Sequence, residues 1–118
     1  MHEAELARFR PELLIGSSFG GAVAVTLLER GSWRGPTLLL AQAAQFYAPA
    51  ARLPEGVRVT LVHATEDEIV PIEGSRALAR TGTPELVRLI EVDDDHALSR
   101  LVASGALLEI VRRAAALD

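Results

Sequence analysis

The sequence predicts an α/β fold of about four parallel strands with flanking helices. Three observations carry that expectation. Short apolar runs alternate with longer stretches of helical period along the chain. The run PTLLLA shows no polar alternation, the pattern of a strand covered on both faces. Glycines stand where two of the helices should stop, at Gly31 and Gly82.

In order, Glu3 to Arg10 reads as a helix with Leu6 and Phe9 on one side, stopped by Pro11. Glu12 to Gly16 is a short apolar strand, and Phe19 to Arg30 a helix closed by Gly31. Pro36 to Ala41 is the second strand. Gln42 to Pro54 is an Ala-rich connection that holds Phe46 and Tyr47, with room for a short helical turn. Val57 to His63 is the third strand, Ile72 to Arg80 a helix, and Leu86 to Val92 the fourth strand. Leu98 to Ala116 reads as one long helix with Leu101, Val102, Leu108 and Val111 toward the core. Such alternation means βαβ units, a parallel sheet and right-handed crossovers. No internal repeat or low-complexity linker divides the chain, so residues 1–118 are expected to form a single domain.

Composition narrows the function. A chain of 118 residues, 49% apolar, can bury roughly two-thirds of its unfolded surface. A net charge of −4 and a pI near 5.4 argue against nucleic acid, which needs a clustered basic face. All twelve basic residues are Arg, which beside so much Ala, Leu and Gly reads as coding bias. Without cysteine there is neither a disulfide framework nor a thiolate nucleophile. MHEAELARFR has no apolar signal core, and no apolar run reaches the ~20 residues of a membrane helix. A cytoplasmic protein that does not enter membranes is expected.

In parallel sheets functional groups gather past the carboxyl ends of strands, so the loops after the first, third and fourth strands matter most. The first is GSSFGG, which fits G-x-S-x-G with Gly16, Ser18 and Gly20. A sharp strand-to-helix turn would lift the Ser18 hydroxyl above the sheet and leave the N–H of Phe19 for an oxyanion. Ser17 would point elsewhere. A serine-capped helix start with glycines for packing remains the alternative. A phosphate loop fails, because no Lys follows at the required spacing.

The second loop is HATEDEIVP. Asp67 is its candidate for orienting a histidine, with Glu66 and Glu68 facing water; an acidic turn that caps the helix after Pro71 is the plainer reading. His63, at the strand end, is expected to hydrogen-bond the turn. The third loop is VDDDHALSR, with His96 just before the last helix. Asp93, Asp94 and Asp95 read as a solvated acidic turn favouring that helix N-terminus. One His beside three adjacent Asp has no spacing that converges on a metal, so neither a metal nor a cofactor is expected.

Together the loops supply a serine, a base to take its proton and a carboxylate to fix the base's tautomer. Here the sequence resembles a known family. IGSSFGGAVA is similar to the nucleophile elbow of α/β-hydrolases, particularly small bacterial esterase-like members with a G-S-S-x-G-G elbow. HATEDEIVP resembles the family's H-G-x-x-D-x-x-V-P acid loop, with Asp67 on the acid position. DHAL resembles its D-H-x-L loop, with His96 on the base position. The resemblance implies the α/β-hydrolase fold, ester- or amide-type hydrolysis of a small acyl substrate, and an acyl-enzyme on Ser18. Phe46 and Tyr47 fall in the usual lid position, where they line an acyl pocket or simply pack beneath the loop.

The resemblance starts at the helix before the elbow strand and so matches the C-terminal part of the family's fold. The early strands have no counterpart, and neither does the H-G loop that ordinarily gives the second oxyanion donor. His2 is followed by Glu3 and cannot be that loop. Loss of one oxyanion donor typically costs ~10²–10³ in turnover. The chain is therefore expected to be a fragment, a truncated relative or one half completed by a partner surface. A homodimer through the open edge of the first strand is the simplest form of the last. A non-catalytic binding or assembly module is the alternative function.

Overall fold

The structure is a computed structural model, and residues 13–115 are described. Four parallel strands lie in chain order across one sheet: β1 (Leu14–Ser17), β2 (Thr37–Leu40), β3 (Val59–Ala64) and β4 (Val87–Val92). Between and after them come α1 (Phe19–Glu29), α2 (Ala44–Tyr47), α3 (Glu73–Ala79), α4 (Ser99–Ala103) and α5 (Ala106–Ala115). A 3₁₀ turn, Pro84–Leu86, leads into β4. The expected helix over Glu3 to Arg10 lies outside the described residues.

The register places two cores on opposite faces of the sheet. Leu39, Val59 and Leu61 meet α1 and α3 through Val25, Leu28 and Leu78. Leu38, Val62 and Ala64 meet the last helices through Leu98 and Ala114. Adjacent residues of β2 and β3 therefore point into different cores, so both strands are covered on both faces and mostly apolar, with Thr37, Thr60 and His63 as buried polar exceptions. Leu38, Leu39, Leu61 and Val62 are fully buried, each contributing about 1.5–3 kcal/mol of transfer free energy.

The C-terminal helix differs from its sequence reading. It is two helices, broken at Ser104–Gly105, with Gly105 at φ +81°. Glycine adopts that left-handed conformation without a Cβ clash, and it ends α4 as a C-terminal cap does. The break turns the apolar face, so Val102 and Leu108 are exposed at 58% and 54%. Leu101 and Val111 pack on the sheet as expected, joined by Leu98, Ile110 and Ala114. Among the described residues no helix is long and apolar enough to cross a membrane.

Candidate active site

The elbow is built from backbone before any chemistry enters. Ser18 sits between β1 and α1 at φ 53°, ψ −117°, a conformation rare for a residue with a side chain. Its N–H donates to Leu40 O at 2.9 Å, and its own carbonyl accepts from Gly21, Ala22 and Ala43. Gly16 makes the turn sterically possible, since a Cβ there would lie 2.5 Å from the Gly20 carbonyl oxygen. Gly21 lies against Gln42, where a Cβ would come within 2.6 Å of that residue's own Cβ. Gly20, the second glycine of the expected register, has open space around it. The close approaches therefore fall at Gly16 and Gly21.

From β3 the chain enters the turn that carries Asp67. One carboxylate oxygen accepts from the backbone N–H of Ile69 at 2.8 Å and of Val70 at 2.7 Å. The other accepts from His96 Nδ1 at 2.7 Å. The side chain has no solvent exposure. Burial alone would raise the Asp67 pKa, but the hydrogen bonds from His96, Val70 and Ile69 outweigh it, and the pKa lies below the ordinary aspartate value. Asp67 is thus a buried acceptor, charged at neutral pH. Glu66 and Glu68 are exposed, as expected, although Glu68 accepts the His96 backbone N–H at 3.3 Å.

His96 follows β4 in the loop before α4. A carboxylate can only accept, so in the neutral ring Nδ1 carries the hydrogen and Nε2 presents a lone pair. That nitrogen lies 3.1 Å from Ser18 Oγ. Below it, the acidic residues set the loop. Asp94 accepts the N–H groups of Asp95, Arg100 and Leu101, and Asp95 accepts that of Ser99. Those carboxylates satisfy the first N–H groups of α4 and fix the direction in which His96 leaves the strand.

Phe19 is the first residue of α1, where an N–H has no carbonyl one turn back to accept it. Its ring meets Tyr47 edge to face at 5.1 Å between centroids. Phe19, Phe46 and Tyr47 are all more than half exposed. The two expected pocket residues thus lie on α2 at the carboxyl end of the sheet, and Tyr47 reaches the residue next to Ser18. A groove of about 330 Å³ beside α2 and α3, lined by Gln45, Arg52, Gly74, Leu78 and Thr81 among others, includes none of Ser18, Asp67 and His96.

Sequence reading missed Gln42 and Ser75. Both are buried and joined at 3.1 Å, and Ser75 meets His63 Nδ1 at 2.6 Å. A polar residue just past an apolar strand, Gln42 after TLLL, was the available signal. Among the described residues no cluster of His, Cys, Asp or Glu is arranged to hold a metal ion.

No family model and no curated protein matches the chain by sequence. Solved structures do. A protein designated a hydrolase from Agrobacterium vitis S4 aligns with a TM-score of 0.73 and 20% identity, over 96% of this chain and 65% of its own. One designated a hydrolase of the α/β superfamily, from Xanthomonas campestris pv. campestris, aligns at 0.60 and 27% identity, over 86% and 57%. The esterase domain of a Rhodothermus marinus protein aligns at 0.57 and 22%, over 75% and 52%. The chain spans between about half and two-thirds of the length of these structures. What it shares with them is the α/β fold: parallel strands with flanking helices on both faces of the sheet.

Proposed function

We propose that this chain is a serine hydrolase of the esterase type acting on a small acyl ester. One observation carries the reading: Ser18 Oγ, the His96 ring and the Asp67 carboxylate stand in a hydrogen-bonded line, with the His96 lone pair toward the serine. In the proposed reaction Ser18 Oγ attacks the carbonyl carbon while His96 Nε2 takes its proton. Asp67 holds the ring by Nδ1–H and stabilises the imidazolium. The Phe19 N–H donates to the oxyanion. Collapse expels the alcohol, which takes the proton from His96 and leaves an acyl group on Ser18. Water, deprotonated by His96, then releases the acid. Phe46 and Tyr47 cover the acyl group, and no cofactor takes part.

The sheet order adds a second element to the proposal. Among the described residues β1 is the last strand on its side; the Leu14 N–H goes to the Pro36 carbonyl just before β2, and the Ser18 N–H to that of Leu40 at its end. The alternate N–H groups, of Ile15 and Ser17, point to the other side, where no described strand pairs. Ile15 is 47% exposed, and an apolar groove of about 220 Å³ runs beside it between β1 and α1, lined by Leu14, Val23, Ala24 and Leu27. An open apolar edge of this kind favours pairing with a second copy of the chain.

The test of the activity is turnover of p-nitrophenyl acetate by the wild-type chain and its abolition in Ser18→Ala. A chain that neither hydrolyses the ester nor reacts with a serine-directed probe would instead be a binding or assembly module.

A further inference from the structure

The histidine that opens the acid loop, His63, has no part in the reaction above, yet it is fully buried against the same carboxylate. His63 Nε2 lies 2.7 Å from the Val70 carbonyl oxygen and 3.3 Å from Asp67 Oδ2, the oxygen that accepts from His96. A carbonyl oxygen can only accept, so in the neutral ring Nε2 carries the hydrogen and Nδ1 must receive one. Ser75 supplies it at 2.6 Å. The Ser75 oxygen in turn accepts from Gln42 Nε2 at 3.1 Å, and Gln42 Oε1 accepts the Ala44 N–H at 2.8 Å. Each link in this series pairs one donor with one acceptor, and the order of partners fixes the tautomer of His63.

The series also closes a ring. Gln42 lies directly beneath Gly21 of the elbow, and the neighbouring Ala43 N–H donates to the Ser18 carbonyl at 3.1 Å. Ala41, which turns the strand toward Gln42, holds φ 48° while buried. One path from elbow to acid loop therefore runs above the sheet edge through Ser18, His96 and Asp67. The other runs beneath it through Gln42, Ser75 and His63.

The geometry points to His63 as a positioning residue, held by Ser75 and Gln42, that sets the place and direction of the Asp67 carboxylate for His96. It does so in two ways. It ties the Val70 carbonyl, whose residue gives its N–H to Asp67, and the same Nε2–H lies 3.3 Å from the oxygen that orients His96. It touches no reacting atom. This role rests on the serine hydrolase reading for its consequence in turnover.

The experiment compares His63→Leu, His63→Gln and Ser75→Ala with wild type. Measured are kcat and KM on p-nitrophenyl acetate, and the low-field proton resonance of the hydrogen between His96 Nδ1 and Asp67. A displacement of about 1 Å at a catalytic group costs up to ~10²-fold in rate. His63→Leu should accordingly lower kcat ~10–100-fold with KM within about twofold, and broaden or abolish the resonance. His63→Gln keeps an N–H donor at the Nε2 end and should recover most of kcat and the resonance. Ser75→Ala, which loses only the hydroxyl and remains informative if His63→Leu fails to fold, should lower kcat ~3–10-fold in the same sense. Variants with wild-type kcat and resonance would overturn the role, as would His63→Gln behaving no better than His63→Leu. A wild-type chain without turnover, whose resonance is nonetheless lost in His63→Leu, would overturn the hydrolase reading and keep the positioning role.

Discussion

Ser18 and His96 are 78 residues apart in sequence, and Oγ of the first lies 3.1 Å from Nε2 of the second. Two different strand ends supply them, and only a parallel sheet brings those ends to one edge. Asp67, from a third strand end, lies 2.7 Å behind the histidine. If this line is a catalytic device, its members are unequal to their sequence neighbours. Ser18→Ala should lower ester turnover by at least ~10³-fold, whereas Ser17→Ala should keep it within about threefold. Steady-state kinetics on both variants checks this; equal losses would remove the assignment.

The carboxylates separate in the same way. Asp67→Asn keeps the size of the side chain but offers an N–H where His96 needs an acceptor, so kcat should fall ~10²–10⁴-fold. Glu66→Gln leaves a group exposed to water, and Glu68→Gln still has an oxygen for the His96 N–H. Both should stay within about threefold of wild type.

Acid stability follows from the depressed Asp67 pKa. The unfolded carboxyl titrates near ~3.9, and above that value the ionised group contributes fully to the fold. As pH falls through the lower folded value, the contribution is lost. The difference in Tm between wild type and Asp67→Asn should therefore shrink as pH drops below about 4. Thermal melts by circular dichroism across that range decide it, and a difference that grows on acidification would contradict the assigned direction.

Two glycines test the elbow and a third tests the break between α4 and α5. Gly16→Ala sets a Cβ 2.5 Å from a backbone oxygen and should lower stability by several kcal/mol or prevent folding. Gly20→Ala meets nothing within 4 Å, lies in α1 and should be neutral or stabilising by up to about 1 kcal/mol. Gly105→Ala has room for its Cβ but not the backbone angle, and should cost about 1 kcal/mol. Urea denaturation gives all three.

These glycines also show which features could be read from the chain. PTLLLA announced a strand buried on both faces, and GSSFGG, HATEDEIVP and VDDDHALSR placed Ser18, Asp67 and His96 at strand ends. Such signals are local: apolar period, turn residues and a short motif. The break at Gly105 was hidden because the flanking residues keep a helical period, and a lone glycine inside such a pattern does not reveal its φ. Gln42 and Ser75 were hidden for a different reason. Their meaning lies in each other, across 33 residues, and in His63, and no local pattern encodes a contact made by packing α3 on β3.

Among the described residues no strand pairs with the outer edge of β1, and the proposed pairing there predicts a dimer. Static light scattering over a dilution series should give twice the chain mass at micromolar concentration. Ile15→Lys, which places a charge on the edge, should shift the equilibrium toward monomer without lowering Tm by more than a few degrees. A monomer at all concentrations would rule the pairing out.

The central claim is that Ser18 is activated by His96. Reaction with a fluorophosphonate tests it most directly, because the probe needs an activated hydroxyl and no particular acyl group. Mass spectrometry of the digested product should show the adduct on the Ser18 peptide in wild type, and its loss in both Ser18→Ala and His96→Ala. An adduct on another residue, or no adduct on a folded wild-type chain, would contradict the account.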